Sequence, residues 1–442
     1  MGQGSLAYKR LEMLFDDGIF SEFERFYTPE DSGEVVCAYG FVSGSPAYAF
    51  SQDTTVCGGA MGRAQSDKIL RLYDKAAMTG LPVIALFDSL GAHVDEGVGA
   101  LAAFGNLIKK ANNISGVVPQ IGVVLGGCIG SAALLACASD MLIMSKASEL
   151  YVTSGAILGE KTVGSAEAAA MNGTAHIITE DDDAAIEKAR DLMGFLPLNN
   201  LSVSPIADYI PADGQGIPES IADAGSILEL SSQYGKCAYT ALCRIAGNAV
   251  GVVSNTRYEE NGRLCADGCA KIARFVRFCD AFSIPVVTFV DTLGFKVTSE
   301  SELSGGVKAM AALSHAYAEA TTPKIAVITG TAVGAAYTAL AGKGSGADMV
   351  FAWKDAAVSA LEPLTAACVL FPDRIANGET REQIAAQYIK TDANVMNAAK
   401  QGFVDDIIEP GETFSKVTAA LEMLSSKRVS TLDKKHSNIG GF

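Results

Sequence analysis

Two rhythms of apolar and polar residues run along this chain, and they recur in a fixed order. The run "DKILRLYDKAAMTG" at 67–80 mixes apolar with charged positions and stops at glycine, which predicts a helix with one buried face. "LPVIALFDSLG" at Leu81–Gly91 is a short apolar run behind a proline, which predicts a strand covered on both faces. A second helix follows, then another proline, the apolar run "VPQIGVVLG" from Val118, and the Gly/Ala-rich phrase "VLGGCIGSAALL" from Val124, which opens a third helix. The whole order then returns. "GCAKIARFVRFCDAF" at 268–282 repeats the helix, and "IPVVTFVDTLG" at Ile284–Gly294 repeats the first strand. "TPKIAVITG" from Thr322 repeats the second strand, and "VITGTAVGAAYTAL" from Val327 repeats the phrase. Lys68 and Lys271 stand the same distance before the first proline of their copies.

A repeat this long is a duplicated domain and not a solenoid, whose periods are far shorter. Strands alternating with helices, apolar almost throughout, predict an α/β fold of stacked βα units. Between the copies, Asp183 is positioned to cap a helix with Ile186, Ala189 and Met193 on one face and Gly194 at its end. The acidic run Glu180–Asp183 then reads as a solvated helix start. The stretch "SVSPIADYIPADGQGIPES" that follows is the best linker, so the expected domains are 1–215 and 216–442.

Composition narrows the function classes. With 442 residues, 49% hydrophobic and 19% charged, the chain has enough apolar material for two cores. A formal net charge of −16 argues against nucleic acid as a partner. Ala111–Ser139 carries no charge and is long enough to span a bilayer, but Pro119 and four glycines from Gly122 to Gly130 break it into strand, turn and buried helix. No signal peptide is evident in "MGQGSLAYKRLEMLF", and a cytoplasmic protein is expected. Cys128, Cys137 and Cys368 sit in apolar runs and read as reduced, buried thiols. Cys265 and Cys269 are the one tight cysteine spacing, and with His93, His176, His315 and His436 dispersed no metal site is expected.

No Gly-x-Ser-x-Gly elbow, P-loop or His-Glu-x-x-His motif is present, and the glycine spacing of "GGCIGS" is wrong for a dinucleotide fingerprint. What the chain offers is backbone. A glycine-rich turn leading into a helix aims free N–H groups at one point with the dipole's positive end behind them, a geometry suited to an oxygen anion. Packing through small residues explains "GSAALLACAS" equally well when that copy is read alone. A second copy at matched spacing favours two oxyanion holes.

These motifs resemble the carboxyltransferase subunits of biotin-dependent acyl-CoA carboxylases and decarboxylases, the propionyl-CoA carboxylase β and methylmalonyl-CoA decarboxylase α family. In the first half the resemblance rests on "AFSQDTTVCGGAMG", "DSLGAHVDEG", "SGVVPQIGVVLGGCIGSA", "NGTAHII" and "LPLNN". In the second half it rests on "ARFVRFCDAFSIPVVTFVDTLGF", "AYAEATTPKIAVITG", "GAAYTAL", "GFVDDIIEP" and "KKHSNI". It implies a duplicated crotonase-like fold in which the first domain binds the acyl-CoA and the second receives carboxybiotin from a separate carrier protein. The amides of Gly130 and Ser131 would then face the thioester oxygen, with Gly91, Ala92 and Gly127 beside the acyl-CoA. Ala335 and Ala336 would face the ureido oxygen of biotin, with Gly334, Gly294 and Phe295 on that side. The biotin nitrogen would itself take the α-proton, so no acid–base side chain is called for.

The resemblance also implies a homo-oligomer (a dimer or a trimer of dimers), a short substrate with propionyl- or methylmalonyl-CoA favoured, and no metal in this subunit. Biotin carboxylase or membrane decarboxylase subunits would be partners, the latter holding the protein peripherally at a membrane. Neither a biotin-attachment "MKM"-type motif nor an ATP-binding motif is present. Departures from the family pattern fall at Leu90 and His93 (glycine and arginine in relatives), at Ser131, Ala335, Leu293, and "AMA" at 309–311. Two other readings stay open: a non-catalytic scaffold of the same fold, and a hydratase or isomerase. The latter would need carboxylates near the holes, and the neighbourhoods of Gly130 and Ala335 hold none.

Overall fold

A computed structural model describes residues 4–27, 35–255, 259 and 262–430. The chain forms two compact units, Met1–Pro205 and Ile206–Phe442. "KKHSNI" and His436 lie outside the described residues.

The first unit is built on one eight-stranded sheet: β1 (Phe20–Glu22), β2 (Val35–Val42), β3 (Ser45–Gln52), β4 (Val83–Ser89), β5 (Gln120–Ile129), β6 (Met141–Ser145), β7 (Glu149–Tyr151) and β8 (Ile177–Thr179). Strand order is β1-β2-β3-β4-β5-β6-β8, and β7 pairs with the far end of β5. β1 to β3 are antiparallel and the remaining pairs parallel. Its helices include α1 (Leu6–Leu14), α2 (Arg63–Thr79), α3 (Val98–Ile114), α4 (Ser131–Cys137) and α5 (Asp182–Phe195).

The second unit repeats the plan with β9 (Leu228–Glu229), β10 (Ala238–Ile245), β11 (Asn248–Asn255), β12 (Val286–Thr292), β13 (Lys324–Val333), β14 (Met349–Trp353), β15 (Ala357–Ser359) and β16 (Asp406–Ile408). Its order is β16-β14-β13-β12-β11-β10-β9, with β15 on the end of β13. The helices that matter below are α6 (Ala266–Ala281), α7 (Gly306–Glu319), α8 (Gly334–Ala339) and α9 (Pro363–Leu370).

Matching residues do matching work in the two units. On α2, Ile69, Leu72, Tyr73 and Ala76 are buried, and on α6 their counterparts Ile272, Phe275, Val276 and Cys279 are buried too. Each such side chain contributes about 1.5–3 kcal/mol when fully removed from water. Every residue of β4 is buried and nearly every residue of β12, as a central parallel strand requires. The prolines stand just outside the strands, where no N–H is needed. Their carbonyls still serve the ladder: Val83 N donates to Pro119 O at 2.9 Å and Val286 N to Pro323 O at 2.8 Å.

The uncharged stretch 111–139 holds the end of α3, β5 and α4, and among the described residues no helix is long and apolar enough to cross a membrane. α5 begins two residues earlier than expected: Asp181, not Asp183, is its N-cap and accepts from Ala184 N at 2.8 Å. Gly194 lies inside that helix, which runs on to Phe195. Asp182 turns inward to Arg10 at 3.1 Å, so the acidic run is not wholly solvated. Cys128 is buried, but Cys137 is exposed and Cys368 half-buried. α4 is apolar on all sides, and Leu134 and Cys137, three residues apart, share its outward face.

Candidate active site

The chemistry-bearing turns gather at the C-terminal ends of β4 and β5 in the first unit and of β12 and β13 in the second. Each pair carries an irregular register, Ser89 opposite Cys128 and Thr292 opposite Ala332, just where the glycine-rich phrases begin. An aspartate explains the glycines. A Cβ on Gly126 would lie 2.1 Å from Asp88 Oδ1, and one on Gly330 would lie 2.1 Å from Asp291 Oδ1. The carboxylate therefore rests on bare backbone and pins the strand. Asp88 also accepts from Arg10 at 2.8 Å and Thr54 at 3.2 Å. Asp291 accepts from the Thr331 amide at 2.6 Å. These two aspartates were visible in the repeated strand ends, but their organising role emerges only from the contacts.

Beyond that point the chain must reverse into a helix. Gly130 has φ 59° and Gly334 φ 58°, the left-handed region that glycine enters without a Cβ penalty. These two glycines are equivalent in backbone conformation. Ser131 and Ala335 are the matching residues that follow them, whereas Ala336 is fully buried and does not line the cleft. The Gly130 N–H is also committed, donating to Tyr151 O at 2.8 Å. The Ser131 amide is the first of the donors left at the start of α4, ahead of those of Ala132 and Ala133. As the first residue of the helix it has no carbonyl within the helix to bond.

The second turn of each unit is equally well matched. Gly91 N donates to Ser89 Oγ at 3.1 Å, and Gly294 N donates to Thr292 Oγ1 at 3.2 Å. Ala92 bridges to Met61, and Phe295 bridges to Leu264. A Cβ on Gly91 would lie 3.0 Å from Ile129 O, so this turn packs directly beside Gly130. Leu90, 57% exposed, lies over Gly127, whose added Cβ would meet Leu90 Cδ2 at 3.1 Å. His93 is half-buried next to Ala92, and its backbone N–H donates to Met61 O at 3.0 Å.

In the second unit these elements enclose a cleft of about 680 Å³ that brings together the expected Gly294, Phe295, Gly334 and Ala335. Two lining residues were not anticipated. Arg263 pairs with Glu362 at 2.6 Å and donates to Leu293 O at 3.1 Å. They stand 99 residues apart in the sequence, so no motif spacing could have joined them. The pair ties the Leu293–Gly294 turn to the start of α9. The cleft thus has backbone amides at a helix start, Phe295 and Lys296 in its lining and one ion pair. It can hold a small polar ring whose oxygen faces the amides. Among the described residues no group of three or more His, Cys, Asp or Glu could hold a metal ion.

Two sheets with helix-opening turns at matched strand ends define a duplicated crotonase-like α/β protein. Comparison with known proteins agrees with that class. The model of the carboxyl transferase domain matches residues 3–439. The propionyl-CoA carboxylase carboxyltransferase subunit of Haloferax mediterranei is 34% identical, with 98% of this chain and 93% of that protein covered. The methylmalonyl-CoA decarboxylase α subunit of Veillonella parvula is 35% identical over 99% of this chain and 93% of its own length. The crystal structure of transcarboxylase 12S, described as a hexamer assembly with hydrolysed methylmalonyl-coenzyme A bound, superposes with a TM-score of 0.92. It is 33% identical, and the match covers 99% of this chain and 93% of that one. The chain belongs to the carboxyl transferase domain family.

Proposed function

We propose that this protein is an acyl-CoA carboxyltransferase that moves a carboxyl group between biotin on a separate carrier protein and a short acyl-CoA, propionyl- or methylmalonyl-CoA being favoured. The observation that carries the reading is the pair of equivalent helix-opening turns, at Gly130–Ser131 and Gly334–Ala335. Carboxyl transfer develops negative charge on an oxygen of each partner, and each turn offers a fixed amide to one oxygen. The Ser131 N–H would hold the thioester oxygen of the acyl-CoA, with Gly91, Ala92 and Gly127 around it. The Ala335 N–H would face the ureido oxygen of biotin, with Gly294 and Phe295 beside it. The second-unit cleft suits that ring: Phe295 offers a flat apolar surface and the Arg263–Glu362 pair adds no net charge. When bound, biotin supplies the ureido nitrogen that bears the carboxyl group. The chain's own contribution is to position both partners and to stabilise charge.

The protein would act in the cytoplasm as a homo-oligomer, alongside a biotin carboxylase or membrane decarboxylase subunits. The test is incubation of the full chain with methylmalonyl-CoA, with and without free biotin, followed by mass spectrometry. Loss of the carboxyl group only when biotin is present is expected. Equal turnover without biotin, or a hydrated or isomerised acyl product, would overturn the reading, and an inert but well-assembled protein would favour a scaffold.

A further inference from the structure

A pair of cysteines outside both turns has a geometry that the transfer reaction does not use. All ten cysteines are thiols, yet the sulfurs of Cys237 and Cys265 stand 2.9 Å apart, closer than non-bonded sulfurs ordinarily approach. A disulfide needs a sulfur–sulfur distance of about 2.05 Å, so only a small contraction separates the pair from a bond. The Cys265 amide also donates to Cys237 Sγ at 3.2 Å, which fixes the two residues against each other. We propose that Cys237 and Cys265 are an oxidisable dithiol, a site at which a hydroperoxide drives formation of an intrachain disulfide.

The two thiols differ in a way that assigns their roles. Cys265 is half-buried and is the N-cap of α6, where its sulfur accepts from Gly268 N at 3.4 Å. The start of a helix favours negative charge on sulfur, and an accessible sulfur there is the one a peroxide meets first. Cys237 is 2% exposed, and its hydrogen bond to Cys265 together with burial pushes its thiol well up, so it waits as the resolving partner. Lys271 acts electrostatically on both sulfurs and donates to Ala238 O, the residue after Cys237, at 2.8 Å.

In the first step the Cys265 thiolate attacks hydrogen peroxide, forming an S–O bond and breaking the O–O bond with release of hydroxide. In the second, Cys237 sulfur attacks the sulfenic acid, forming the S–S bond as the S–O bond breaks. Two thiols and one peroxide give one disulfide and two waters, with two electrons passing from sulfur to oxygen. The site adjoins the cleft. Leu264, next to Cys265, accepts from Lys296 N at 2.8 Å and donates to Gly294 O at 3.0 Å.

The test uses the full, reduced protein and does not depend on its activity. It is treated with limiting hydrogen peroxide, denatured, alkylated with N-ethylmaleimide and mapped by mass spectrometry. A cross-linked Cys237–Cys265 peptide pair should form several-fold faster than oxidation of the exposed Cys57 and Cys137, and dithiothreitol should reverse it. In Cys237→Ser, Cys265 should instead accumulate sulfenic acid trapped by dimedone. In Cys265→Ser, Cys237 should stay alkylatable. Wild-type protein in which Cys57 or Cys137 oxidises while both of these thiols remain alkylatable would overturn the proposal, as would a cross-link from Cys265 to a different cysteine.

Discussion

Replacing Ser131 by proline removes one N–H from the first-unit turn and almost nothing else. Ser131 opens α4, and at the first position of a helix the missing donor and fixed φ of proline are both tolerated. The preceding Gly130, at φ 59° and ψ −119°, is outside the helical region that a following proline disfavours. The Ser131→Ala variant is the matched control, since it loses the hydroxyl but keeps the amide. If that amide holds the thioester oxygen, its loss removes roughly 2.7–4 kcal/mol of transition-state stabilisation, or a factor of about 10²–10³ in kcat. The assay is biotin-dependent decarboxylation of methylmalonyl-CoA, run across substrate concentrations so that kcat and KM separate. Thermal melting should show both variants folded. A Ser131→Pro enzyme as fast as Ser131→Ala would refute the assignment and move the donor elsewhere in the turn.

Two further outcomes follow from second-unit geometry. Arg263→Met should raise KM for free biotin several-fold and leave KM for the acyl-CoA unchanged, because Arg263 holds the Leu293 carbonyl and Glu362 around the cleft. Little change in melting temperature is expected, since the pair is more than a quarter exposed, and an unchanged KM for biotin would count against the clamp. Burial holds Lys271 down to about 8 from the usual 10.5, against the opposing pull of Glu229. Between those values the unfolded chain binds more protons than the folded one, so this group's contribution to stability rises with pH across the window. The urea midpoint of wild type should therefore gain on that of Lys271→Met between pH 8 and pH 10, and a constant gap would show that Lys271 is not buried as described.

The duplication was legible because it is written in what burial dictates. Ile69 and Ile272, or Val83 and Val286, recur since the same strand and helix faces must be covered in each unit. The register of the two turns was not. "GCIG" and "GTAVG" each hold two glycines, and sequence does not say which one takes positive φ. Backbone angles give the positive φ to Gly130 and Gly334, so that of the expected pair Ala335 and Ala336 it is Ala335 that matches Ser131. Nor could spacing show that the Gly130 amide is used by Tyr151, a strand contact reached from outside the motif.

The same limit governs the division of work proposed for the two units. Asp88 and Asp291, Gly126 and Gly330, Ser89 and Thr292, Gly130 and Gly334 build equivalent frames, so the backbone alone gives neither unit a preference for acyl-CoA or biotin. The difference lies in the side chains hung on those frames. Phe295 stands where the first unit has Ala92, by the matched bridges to Leu264 and Met61. One residue before those bridge partners, the second unit has Arg263 where the first has Ala60. A flat wall and an ion-paired clamp therefore belong to one turn only. On the proposed reading, specificity would rest on a few substitutions on a doubled frame, and the Arg263→Met split between the two KM values tests that division directly.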